Sequence, residues 1–149
     1  NGYQTTESKL FESNQLIDLG ATEIDFVINR TFLANQDVEA IYKETEQLID
    51  LCKKRGVVSK WIVESTAIDE VELKILCEIA NQLNPDFMKT CTGFFGGAQL
   101  NDIVLMRKML NKNIKIKASG GIKTKEQAIE LIQAGADRLG ASSFQGWVD

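Results

Sequence analysis

Two kinds of apolar spacing alternate along the chain. Short β-rich runs, EIDFVI (23–28), VVSKWIV (57–63), DFMKT (86–90), IKIKA (114–118) and DRLGA (137–141), are separated by longer stretches in which apolar residues recur every three or four positions. Val38, Ile41, Tyr42, Thr45, Leu48 and Cys52 form one face of an amphipathic helix, and Gly56 is placed to end it in the left-handed conformation. Leu73, Leu76, Cys77, Ala80 and Leu83 mark a second helix, and Ile103, Met106 and Leu110 a third. Thr124 with Gln127 three residues on predicts a capping box opening a fourth, which Gly135 can close. Ahead of the first strand, residues 1–21 read as a loop and a helix carrying Leu10, Phe11, Leu16, Ile17 and Leu19.

Strand starts recur every 23 to 34 residues, the length of a strand plus a crossover helix. Such a βα repeat builds either an open doubly wound sheet or a closed (β/α)8 barrel. Polar residues decide between them. Asp25 and Asn29, Lys60 and Glu64, Lys89, Lys117, and Ser142 with Ser143 lie on the strands or just after them, where a barrel gathers its active site. The expectation is an α/β chain, a (β/α)8 TIM barrel of which residues 1–149 supply roughly the last five βα units as a single partial domain. A complete barrel takes about 250 residues, and the first helix has no strand before it, so the chain is expected to lack an N-terminal portion. As a lone monomer it would leave strand edges open.

At 149 residues and 44% hydrophobic content, one core is the expectation. A net charge of -4 argues against nucleic acid or an anionic membrane as partner. No apolar run approaches the roughly 18 residues that span a bilayer, and the first residues lack the form of a signal peptide, so a cytoplasmic location is expected. Cys52, Cys77 and Cys91 are odd in number and are read as reduced packing residues. The chain has no histidine, which removes the usual general base and the common metal-binding spacings. Any chemistry must use Lys, Asp, Glu, Cys or Ser. Trp61, Trp147 and Phe144 are read as packing aromatics, and Glu64 as pairing with a lysine in preference to hydrogen-bonding substrate.

Chemistry therefore falls to lysines and carboxylates. Lys89 ends a short strand in DFMKTCTGF, and Lys117 ends IKIKASGG, where alternation puts Lys115 and Lys117 on one face and Ile114 and Ile116 on the other. Lys117, nearer the C-terminal end, is assigned to the site, with Lys115 deeper or paired. A free lysine, with a pKa near ~10.4, is almost wholly protonated at neutral pH. A second ammonium and desolvation together favour the neutral amine that forms a Schiff base. Asp25 is the carboxylate candidate for proton transfer, against an equal reading as the ion-pair partner of a lysine. SGGI (119–122) and GASS (140–143) follow the last two strands, where barrels commonly hold phosphate on backbone N–H groups.

Taken in order, GATEIDFVIN (20–29), KWIVES (60–65), DFMKTCTGF (86–94), KASGGIKT (117–124) and GADRLGASS (135–143) resemble the deoxyribose-phosphate aldolase family. The resemblance implies a barrel that reversibly cleaves 2-deoxy-D-ribose 5-phosphate to D-glyceraldehyde 3-phosphate and acetaldehyde without a cofactor. It implies that Lys89 forms the Schiff base, Lys117 lowers its pKa and Asp25 supports proton transfer. Gly93, Gly120, Gly121, Ser142, Ser143 and Lys60 would serve substrate and phosphate binding, and a homodimer is implied as a frequent state. Cys91 stands where the family commonly has serine, and Arg30 with Thr31 where smaller residues are usual. The family's first three strands have no counterpart. The competing expectations are a phosphate-binding barrel isomerase or synthase without a Schiff base, and an inactive part of the aldolase.

Overall fold

The computed structural model describes residues 2–143 and 147. Five strands, β1 (Glu23–Val27), β2 (Val58–Ile62), β3 (Phe87–Lys89), β4 (Lys115–Ser119) and β5 (Arg138–Gly140), form one sheet in chain order. Every neighbouring pair is parallel. The helices are α1 (Thr6–Asp18), α2 (Arg30–Ala34), α3 (Val38–Arg55), α4 (Glu70–Leu83), α5 (Leu100–Met109) and α6 (Lys125–Gln133), with a single 3-10 turn at Ser65–Ala67. This is the βα repeat expected from the sequence, five units of a (β/α)8 barrel.

The strands carry opposite chemistry on their two faces because side chains alternate across a pleated strand. Ile24, Phe26, Trp61, Met88, Ile116 and Ala118 are buried in one continuous core with Leu48, Leu76 and Ile103 from the helices. Glu23, Asp25, Lys60, Phe87, Lys89, Lys117 and Arg138 occupy the alternate positions. A parallel strand of an α/β protein is ordinarily apolar on both faces; here the interior face is ionic, and that face carries the site.

Local signals explain most helix ends. Gly56 ends α3 at φ 67°, in the left-handed region. Asp69 and Glu72 make a complete capping box at the start of α4 that the apolar pattern did not point to. The box expected at Thr124 forms by half: Thr124 accepts from Gln127 N, but the Gln127 amide oxygen accepts from Lys123 N at 2.9 Å. The short α2 was not foreseen, since five residues show no period; its signal is Asn29, whose Oδ1 accepts from the N–H groups of Thr31 and Phe32.

The helix expected ahead of the first strand is α1. Of its apolar residues only Ile17 is buried, whereas Phe11, Leu16 and Leu19 are exposed. Instead α1 docks through polar atoms. Lys9 Nζ meets Glu44 Oε1 at 2.5 Å and the Val27 carbonyl at 2.9 Å, and Thr6 and Asn29 donate to Glu44 Oε2. Burial lowers the Lys9 pKa, with the hydrogen bond that Lys9 donates to Glu44 opposing it. Trp61 is fully buried and Trp147 packs against the core, as expected of both; Phe144 lies outside the described residues.

Candidate active site

Parallel pairing aligns the ends of β3 and β4 so that Lys89 and Lys117 are register partners. Asp25 on β1 pairs in register with Lys60 on β2. The curvature of the sheet then brings strands that are not neighbours together. Asp25 Oδ1 accepts from Lys60 Nζ at 2.6 Å, while Oδ2 accepts from Lys89 Nζ at 2.7 Å and from Lys117 Nζ at 3.0 Å. One carboxylate thus receives three ammonium groups from three successive strands. Below it, Glu23 Oε2 accepts from Lys60 at 2.7 Å and from Arg138 at 2.8 Å. Arg138 also stacks on Phe87, 4.6 Å from the ring centroid.

Burial sharpens these charges. The side chains of Lys60, Lys89 and Lys117 are 5%, 13% and 16% exposed, and that of Asp25 28%. Burial is the largest influence on Asp25 and would raise its pKa, but the hydrogen bonds from Lys60, Lys89 and Lys117 together outweigh it and hold the carboxyl well below the usual carboxylate range. For Lys117, burial is again the largest influence and lowers the pKa; the bond to Asp25 opposes it, and the charges of Lys89 and Lys60 add to the depression. Four cations, Lys60, Lys89, Lys117 and Arg138, face two carboxylates, Glu23 and Asp25. The interior therefore has a positive excess suited to an anionic ligand.

The glycine-rich loops lie against one another. A Cβ on Gly97 would stand 2.5 Å from the Gly120 carbonyl oxygen, and one on Gly120 would stand 3.2 Å from the Cα of both Gly93 and Gly97. Gly93, Gly120 and Gly121 all have positive φ. The loop after β3 and the loop after β4 thus meet backbone to backbone, which only glycines permit, and α6 starts just beyond. Gly120 N donates to the Gly140 carbonyl at 3.4 Å, carrying the contact to the last strand. Ser142 and Ser143 follow on that strand and are exposed.

Three readings change in detail. Lys60 is enclosed between Asp25 and Glu23, so it belongs to the ion cluster as it stands. Lys115 lies at the start of β4, exposed, with Nζ 5.6 Å from the Phe87 ring centroid. Glu64, expected to pair with a lysine, is corrected: both of its oxygens are taken by Thr92, through N–H at 3.0 Å and Oγ1 at 2.6 Å. The reason is the left-handed backbone at Glu64, which breaks the alternation that would have continued from Lys60. Cys91 is fully buried, with Sγ 3.6 Å from Ser65 Oγ and 3.7 Å from Thr66 Oγ1, as a packing residue should be. Burial raises the thiols of Cys52 and Cys77, to about 11 and about 12. Among the described residues, no group of three His, Cys, Asp or Glu is placed to hold a metal ion, and no helix is long and apolar enough to cross a membrane.

Several curated relatives, at 40% to 44% identity, are deoxyribose-phosphate aldolases. No family model matches the chain. The deoxyribose-phosphate aldolase of Lactobacillus acidophilus is 41% identical over 143 residues, 95% of this chain and 60% of that protein. The chain belongs to the deoxyribose-phosphate aldolase family. It spans 60% to 65% of the length of the curated aldolases it matches. A solved aldolase, QR15, superposes with a TM-score of 0.89 at 36% identity, covering 95% of this chain and 64% of the other. The family's tetrameric enzyme from Aeropyrum pernix superposes at 0.85 with 31% identity, over 95% of this chain and 60% of that one.

Proposed function

We propose that the chain carries the Schiff-base half-site of an aldolase that cleaves 2-deoxy-D-ribose 5-phosphate to D-glyceraldehyde 3-phosphate and acetaldehyde, in deoxyribonucleotide breakdown. The observation that carries the reading is the convergence of Lys60, Lys89 and Lys117 on Asp25. Three ammonium groups around one carboxylate disfavour the fully protonated cluster, and a neutral amine is what imine formation requires.

Lys89 Nζ adds to the C1 carbonyl of the open-chain sugar, and loss of water leaves an iminium. Removal of the C3 hydroxyl proton lets the C2–C3 bond break; its electron pair passes into an enamine and glyceraldehyde phosphate departs. Protonation of the enamine at C2 and hydrolysis release acetaldehyde and restore Lys89. Lys117, whose charged form burial disfavours, is suited to accept and return these protons. Asp25 is a poor base as it stands and serves as the counter-charge that orders the lysines. Gly93, Gly120, Gly121, Ser142 and Ser143 would receive the phosphate on the loops after β3, β4 and β5. Lys60 would support substrate binding through the charge excess.

The depressed pKa of Lys117 favours one second reading, in which Lys117 is the nucleophile. Incubation with acetaldehyde and sodium borohydride, followed by peptide mapping, separates the two. We expect N-ethylation on Lys89 in large excess over exposed lysines such as Lys43. An adduct on Lys117 reverses the roles, and none on either favours a phosphate-binding isomerase or synthase or an inactive part of the enzyme. Lys89→Ala should abolish trapping. Lys117→Leu should slow trapping on Lys89 at neutral pH, because the neighbouring positive charge that favours a neutral amine is lost. A cytoplasmic location and a homo-oligomer, with a dimer as the smallest form, complete the proposal; the tetrameric relative supports association.

A further inference from the structure

We propose that Glu64 is a positioning residue for Lys89, which it acts on by anchoring the loop after β3 through Thr92. The inference rests on the aldolase reading above and assigns a role to a residue that reading leaves unused.

Glu64 is 1% exposed and has φ 55° and ψ 53°, a left-handed backbone that glycine or asparagine adopts more readily. A charged side chain is therefore buried on a strained residue, and the lysines nearby in sequence and site pair with Glu23 and Asp25 instead. Fold stability alone would favour a small neutral residue at this point. Strain retained in this way gathers at functional positions. What the carboxylate gains is Thr92: Oε1 accepts its N–H at 3.0 Å and Oε2 its hydroxyl at 2.6 Å. The Thr92 hydroxyl in turn accepts from Phe94 N at 3.2 Å.

Thr92 follows Lys89 by three residues. The same loop is gripped from the other side by β4, where Ser119 N donates to Thr90 Oγ1 and Ser119 Oγ donates to the Cys91 carbonyl. Each of the three residues after Lys89 is thereby fixed, the first two by β4 and the third by Glu64. Lys89 and Thr90 keep their backbone bonds to Val63, Ser65 and Lys117 when Glu64 is lost, so release of the Glu64 side frees the loop from Thr92 onward and with it the fine aim of the amine. An amine left to wander loses rate far more than affinity, because a small misplacement of a reacting group costs about a hundredfold in rate.

The test is borohydride trapping of acetaldehyde on Lys89 across acetaldehyde concentrations in the wild-type chain, Glu64→Gly, Glu64→Gln and Thr92→Val. Glu64→Gly removes the anchor and relieves the left-handed strain, so its melting temperature should fall little. We expect its limiting trapping rate to drop about tenfold to a hundredfold, with the half-saturating acetaldehyde concentration within about threefold of wild type. The double variant Glu64→Gly/Thr92→Val should be no slower than the slower single variant, since both break one link. Wild-type rates in a folded Glu64→Gly overturn the proposal. If that variant does not fold, wild-type rates in folded Glu64→Gln and Thr92→Val overturn it equally. A wild-type chain that forms no Lys89 adduct instead removes Lys89 as the nucleophile, and this role with it.

Discussion

Asp25 concentrates the electrostatics of the molecule at one side chain. Its pKa is lower in the folded chain than the ordinary aspartate value of 3.8, so the unfolded chain binds the extra proton and the folded state gains stability as pH rises toward that value. The gain is fully present above about pH 4 and is lost as acid titrates the folded carboxyl. Asp25→Asn should therefore lower unfolding free energy by on the order of 2–3 kcal/mol near neutral pH, and the gap should narrow in acid. Urea titrations at several pH values measure this; a gap independent of pH would sink the assignment. Lys89, Lys117 and Asp25 were legible as candidates because charged residues on parallel strands are conspicuous. The Lys9–Glu44 pair and the Glu64–Thr92 bonds were not, since their partners lie 35 and 28 residues apart and a charged residue in a helix or loop reads as solvated until the tertiary contact is known.

Elements were legible where period and punctuation agreed. The five strands and α3 to α6 stand where alternation, stripes, Gly56 and Thr124 put them, and α1 stands ahead of β1 as expected, although its ionic docking left no apolar stripe to read. The glycines of the loops after β3 and β4 were read only as ligand cradles; their mutual contact needs both loops in space. Gly97 decides this point. A methyl group there meets the Gly120 carbonyl oxygen at 2.5 Å and Gly121 Cα at 2.8 Å, both backbone atoms. Gly97→Ala should cost about 1–3 kcal/mol through overpacking, read as a melting temperature lower by several degrees. An unchanged melting temperature would mean that the two loops part easily.

At the scale of the whole molecule, β1 and β5 each have a strand partner on one side only among the described residues, and parallel edges of this kind invite pairing. Phe11 and Leu16 on α1, and Leu19 at its C-terminal cap, add exposed apolar surface ahead of β1. Sedimentation velocity at micromolar concentration is expected to show species heavier than the 149-residue chain, increasing with concentration. A single monomer boundary at all concentrations would contradict that. The barrel class was legible because the sheet follows chain order and polar residues gather at the strand ends, whereas the ion pair between Glu23 and Arg138, 115 residues apart, depends on curvature that no local pattern records.

The three-lysine hub also acts as a proofreading device for folding. Because faces alternate along a strand, a shift of β2, β3 or β4 by one residue would turn Lys60, Lys89 or Lys117 away from Asp25 and into the apolar layer of Trp61, Met88 and Ile116. Each misaligned strand would strand a cation in that layer and leave the carboxylate short of a partner. The groups proposed to perform the chemistry thus also penalise the pairing errors to which long-range parallel sheets are prone.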